Sequence, residues 1–208
     1  SHDTACAVAA VPAEDDGPQW AYLSCGTWSL LGVELETPLL SDAAREASFT
    51  NEIGLDGTVR FLKNLTGLWV LQECERVWQA KGQSFDYETL QREAASSSFD
   101  AAPLDLDEQR FLERGRMPEK IRNHCYEHGQ PTPEVRGDYV RLILESLAAD
   151  YHDKLSVMED LIGQSIEVLH VVGGGARNDL LCQWTASATS CQVVAGPAEA
   201  TAWGNLLI

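Results

Sequence analysis

Apolar residues recur along this 208-residue chain with two different periods, and the change of period divides it. Residues 4–12 (TACAVAAVP) read as a strand of small residues or a helix start, closed by Pro12, and residues 13–18 form a polar turn. From 19 to 36 two runs rich in Trp, Tyr, Leu and Val flank Ser24-Cys25-Gly26-Thr27, the pattern of a β-hairpin. Residues 38–57 have no single period, and Gly54 and Gly57 mark a turn. Residues 59–80 are apolar on more than one side, which predicts one well-buried helix. A shorter helix is predicted over 85–98, opening at Asp86. A loop rich in Asp and Pro follows over 99–116, then a helix over 118–128 stopped by Gly129-Gln130-Pro131. Over 135–162, Val140, Ile143, Leu144, Leu147, Tyr151, Leu155 and Met158 repeat at helical spacing, and Gly163 is placed as the stop.

The last 45 residues then change to short alternations. Ile166–Val172 predicts a buried strand, Gly173-Gly174-Gly175 a turn, 177–189 a helix, 192–194 a strand, and 197–208 the start of another helix. A strand, loop, helix, strand order requires parallel pairing. The fold expected is α/β, a mixed sheet with helices packed on it.

The net charge of −17 narrows the partners. Nucleic-acid surfaces need clustered Lys and Arg, and anionic membranes need a basic face, so neither partner is expected. An anionic small ligand is not excluded, because backbone N–H groups, hydroxyls and a bound cation can hold phosphates. No apolar run approaches the ~20 residues of a membrane span. The six cysteines form no C-x-x-C pair and lie in apolar or helical stretches, so they are read as reduced thiols in a cytoplasmic protein. His124, Cys125 and His128 could suggest a metal site, but without a second ligand pair they read as a helix surface.

Four groups could carry chemistry. Three consecutive glycines between a strand and a helix let the backbone approach a flat or charged ligand, and the helix behind them points free N–H groups at it. The loop is neither a P-loop nor a spaced dinucleotide fingerprint. At the hairpin tip, Gly26 and Thr27 offer one N–H and one hydroxyl, though such a string is often only a turn. His2-Asp3-Thr4 places a carboxylate that could take a proton from an attacking hydroxyl; taken alone it reads as a turn or cap. Asn64 and Gln72, eight apart in the predicted helix, fall near one face and need partners, either backbone or ligand.

Together and in order, SHDTACAVAAVP, YLSCGTWSLLG, NEIGLDGTVRFLKNLTGLWVLQECERVW, HVVGGGARNDLL and AGPAEATAWGN resemble the C-terminal domain of the FGGY carbohydrate kinases. The segment GTVRFLKNLTGLWVLQE is similar to the rhamnulokinase branch. The resemblance implies an actin-like, ribonuclease-H-like fold with an ATP cleft between two lobes, residues 1–208 being the nucleotide-binding lobe. It implies transfer of the γ-phosphate of ATP, with Mg2+, to the 1-hydroxyl of L-rhamnulose. It makes Asp3 the base, sets His2, Thr4 and Asn64 at the sugar, and sets Gly26, Thr27, Gln72, Gly173, Gly174 and Asn178 at the nucleotide. Both ends of the chain fall inside patterns, so a preceding lobe of the same polypeptide is expected as partner, and the isolated chain is expected to be inactive. The readings that compete are a kinase for another ketose, such as fuculose or xylulose, and a non-catalytic actin-like domain.

Overall fold

The computed structural model describes Val8, Val11 and residues 19–198. A six-stranded sheet forms its centre, in the order β3-β4-β2-β1-β5-β6. The hairpin falls as predicted: β1 (Trp20–Cys25) and β2 (Trp28–Leu35) pair antiparallel around Gly26-Thr27. After a short helix α1 (Asp42–Glu46), β3 (Thr50–Ile53) and β4 (Val59–Thr66) extend the sheet antiparallel beyond β2. On the other side β5 (Val168–Val172) runs parallel to β1, and β6 (Gln192–Ala195) parallel to β5. The sheet is therefore mixed, half hairpin ladder and half crossover.

Residues 59–80 are not one helix. The first half is strand β4; Gly67 breaks the chain; helix α2 (Trp69–Ala80) follows. Arg60, Phe61, Leu62, Leu65 and Thr66 are all buried, because β4 is covered on both faces at these positions. Such a strand shows no alternation, so periodicity cannot separate it from a buried helix. Gly67 is the physical boundary: a Cβ there would lie 2.6 Å from the Gly26 carbonyl oxygen.

The remaining helices match the pattern closely. Helix α3 (Tyr87–Ser96) opens where Asp86 accepts the Thr89 N–H at 2.7 Å, an N-cap that satisfies an otherwise orphan donor. The 99–116 loop contains one helical turn, α4 (Gln109–Leu112), set by burial of Phe111. Helix α5 (Met117–Glu127) follows, then α6 (Arg136–Ile162), which ends at Gly163 in the left-handed region. Asp138 accepts the N–H groups of Glu134 and Val135 and fixes the start of α6. Helix α7 (Asp179–Thr189) joins β5 to β6. The segment predicted as a helix from 197 lies outside the described residues beyond Ala198.

One apolar core lies between the sheet and α6, and α6 also packs against α3 and α7. Tyr151 of α6 reaches the hairpin, its hydroxyl 2.8 Å from Ser29 Oγ and 3.5 Å from Cys25 Sγ. The opposite sheet face carries a smaller cluster in which Val8, 4 % exposed, packs with Tyr22 and Leu62. Among the described residues no helix is long and apolar enough to cross a membrane.

Candidate functional site

Strands β1 and β5 are parallel neighbours with Ser24 beside Val172, so their carboxyl ends lie together. In an open α/β sheet that edge is where ligands bind. The β1–β2 turn and the glycine loop meet there. Gly173 has φ +83°, and a Cβ on it would come within 2.8 Å of the Cys25 carbonyl oxygen. At Gly175 a Cβ would stand 2.2 Å from Cys25 Sγ. These two glycines let the loop lie on β1. Gly174 is different: a Cβ there would meet no protein atom within 4 Å. It is exposed and faces a cleft of about 400 Å³.

The hairpin turn and α2 build the facing wall. Leu68 N–H donates to the Gly26 carbonyl at 2.9 Å and Trp69 N–H to that of Thr27 at 3.0 Å, so the start of α2 is tied to the turn. Trp28 stacks on Trp69 with ring centres 6.5 Å apart, which adds an aromatic brace. Leu68, Leu71, Gln72 and Glu75 then line the cleft at one-turn spacing along one face of α2. Gly26, Gly174, Tyr87 and Arg177 complete the lining. The walls are apolar at Leu68, Leu71 and Tyr87 and polar at Gln72, Glu75 and Arg177. The Thr27 hydroxyl donates to Gln72 Oε1 at 3.0 Å, so the two side chains act as one polar unit. Burial pushes the Glu75 carboxyl above its ordinary value and the Tyr87 phenol up to about 12. At neutral pH the phenol therefore stays a neutral donor.

The structure brings together most of the residues expected at a nucleotide. Gly26, Gln72 and Gly174 line the cleft, Thr27 is bonded to Gln72, and Gly173 sets the loop against β1. Asn178 is not in the lining. It is 1 % exposed, caps α7 by accepting the Leu181 N–H at 2.9 Å, and donates from Nδ2 to the Tyr87 hydroxyl at 3.0 Å. It thus positions Tyr87. Asn64 does not share a helical face with Gln72, because it stands on β4, exposed. It alternates in step with Leu62, so it lies on the sheet face that carries the Val8 cluster. His2, Asp3 and Thr4 lie outside the described residues. The sequence reading missed Tyr87, Glu75 and Arg177; only the helix face shared by Leu68, Leu71, Gln72 and Glu75 could have pointed to one of them.

The chain matches the model of the FGGY family of carbohydrate kinases, C-terminal domain, over residues 21–208. It is 47 % identical over its whole length to the rhamnulokinase of Bacteroides thetaiotaomicron and 42 % to that of Bacillus subtilis. These alignments cover 41 % and 42 % of the two relatives, so the chain spans about two fifths of their length. Among solved structures it is similar to a xylulose kinase from Rhodospirillum rubrum, with TM-score 0.63 and 15 % identity, covering all of this chain and 40 % of that one. A Plasmodium falciparum glycerol kinase with ADP gives TM-score 0.62 at 15 % identity, covering 97 % of this chain and 39 % of that one. The fold is the mixed-sheet, actin-like fold of these sugar kinases.

Proposed function

This chain belongs to the FGGY family of carbohydrate kinases as its C-terminal domain, and on that premise we propose that its polypeptide phosphorylates L-rhamnulose at the 1-hydroxyl with ATP, residues 1–208 forming the nucleotide-binding lobe. The observation that carries the reading is the cleft at Gly174. Packing accounts for two of the three glycines, and the third is bare toward a pocket walled by Leu68, Leu71 and Tyr87. A flat base fits against such a backbone surface. The phosphates then lie toward Gly26, Thr27 and Gln72, where the Thr27 hydroxyl and the Gln72 side-chain amide meet. Mg2+ arriving with the nucleotide would offset phosphate charge during transfer.

Asp3 is the base in this proposal. Its carboxylate accepts the proton of the sugar 1-hydroxyl while that oxygen bonds to the γ-phosphorus and the bond to the departing ADP oxygen breaks. His2, Thr4 and Asn64 hold the sugar. Asn64 stands exposed on the sheet face against which Val8 packs. The sugar assignment draws on the rhamnulokinase relatives. The five described cysteines are free thiols, which suits a cytoplasmic enzyme.

Transfer needs donor and acceptor held in line, so a lobe preceding residue 1 is part of the proposal and the isolated chain is inactive. The test is ADP release by the full-length polypeptide with L-rhamnulose, L-fuculose and D-xylulose. L-Rhamnulose gives the highest kcat/KM, and Asp3→Asn abolishes turnover while ATP still binds. Preference for another ketose overturns the sugar; near wild-type turnover in Asp3→Asn overturns the base.

A further inference from the structure

We propose that Glu108, His124 and His128 form a binding site for one divalent transition-metal ion of the zinc type, separate from the nucleotide cleft. The three residues each present one ligand atom, all within 4.8 Å of one another. Around a zinc ion, bonds of ~2.0–2.2 Å set tetrahedral ligand atoms roughly 3.3 Å apart, so the site closes by about 1.5 Å at most. His128 is exposed and can supply that movement by side-chain rotation.

Local structure prepares the imidazoles. His124 and His128 are four apart at the C-terminal end of α5, and their rings stack with centres 4.2 Å apart. His128 Nδ1 lies 2.8 Å from the His124 carbonyl oxygen. A carbonyl only accepts, so Nδ1 carries the proton and Nε2 keeps a bare lone pair. Metal-binding histidines are commonly oriented in this way. His124 is 5 % exposed, and its Nδ1 has no hydrogen-bond partner. That atom lies 3.1 Å from Glu108 Oε1, but the pair is misaligned for a hydrogen bond. A buried unpaired nitrogen facing a carboxylate is costly unless something bridges them, and a cation does so.

The surroundings fit. Arg110 grips the other oxygen of Glu108 at 2.7 Å and Glu127 at 2.7 Å, which orients the ligand carboxylate. Glu108 and Glu127 against Arg110 leave one net negative charge, so a divalent ion is not repelled. Two imidazoles and one carboxylate favour zinc-like ions over Mg2+, which prefers oxygen ligands and keeps its waters. Cys125 is buried and is not among the ligand atoms. The bound ion would pin the 99–116 loop to α5, beside the Phe111 ring, 5.5 Å from that of His124.

The experiment uses tag-free, metal-stripped full-length polypeptide, loaded with Zn2+ in excess Mg2+ and freed of unbound metal by gel filtration. Elemental analysis should find one zinc per chain in the wild type and none in His128→Ala, whose exposed side chain leaves the fold intact. Glu108→Gln should weaken binding at least about tenfold. Co2+ in place of zinc should give d–d absorption bands that His128→Ala abolishes. Failure of the wild type to retain zinc, or retention undiminished in His128→Ala, overturns the proposal.

Discussion

The bare face of Gly174 makes a prediction that separates ligand binding from packing. Alanine at Gly174 places a Cβ with no protein atom within 4 Å, so folding meets no clash. The residue begins a 3-10 turn and is not in the left-handed region, so alanine is conformationally acceptable. Lower chain entropy in the unfolded state should even stabilise the variant by ~0.4–1 kcal/mol. Alanine at Gly175 puts its Cβ 2.2 Å from Cys25 Sγ and 2.6 Å from Cys25 Cβ. Overpacking of that kind costs about 1–3 kcal/mol. For binding the order reverses. A nucleotide resting on Gly174 meets the new methyl directly, and a similar penalty of about 1–3 kcal/mol weakens ATP binding about 5- to 150-fold.

The assay is a thermal melt of each full-length variant, paired with isothermal titration of ATP. Gly174→Ala keeps or raises Tm and loses affinity; Gly175→Ala loses Tm first. Unchanged ATP affinity in Gly174→Ala would refute the cradle. A fall in Tm matching that of Gly175→Ala would show that Gly174 serves packing as well.

Three further changes probe the supports. Asn178→Ala removes the α7 cap and leaves the Tyr87 hydroxyl unpaired, so denaturant melts should show a loss of about 1–2 kcal/mol; Asn178→Asp restores the cap while withdrawing the donor from Tyr87. Tyr151→Phe removes the hydroxyl that faces Ser29 and Cys25 and should cost about 1–2 kcal/mol in the same measurement. Burial holds the Glu75 carboxyl above 4.5 in the fold, so the folded state binds the proton more tightly and stability falls as pH rises from the unfolded value through the raised one. Glu75→Gln should therefore raise Tm at pH 7 and leave it unchanged below about pH 4; a variant that loses Tm at pH 7 contradicts this sign.

Much of the fold was legible because its elements carry local marks. The hairpin has apolar runs around a Gly-Thr turn, α3 has Asp86 at its start, and α6 has one stripe and a terminal glycine. The error fell on β4, where burial on both faces erased alternation and a helix followed two residues later. That error joined Asn64 and Gln72 on one helical face, whereas the sheet sets Asn64 on the strand beside Leu30 and Gln72 on α2. Gly26, Thr27, Gly173 and Gly174 still come together at one end of β1 and β5, because they sit at chain reversals that glycine marks.

What sequence could not show is what arises between distant segments. Tyr87 reaches the cleft because Asn178, 91 residues later, holds its hydroxyl. Glu108 meets His124 only because Phe111 buries its turn against the rest of the chain. Spacing alone offered His124, Cys125 and His128 as neighbours, and the helix turned the cysteine inward and left the histidines stacked. The third ligand had to come from another element, as ligands usually do when a site is assembled by tertiary packing. Gly174 shows the same logic in reverse. Three identical residues in a row carry one sequence signal, but Cys25 accounts for the first and third by contact, and only the second is left for a ligand.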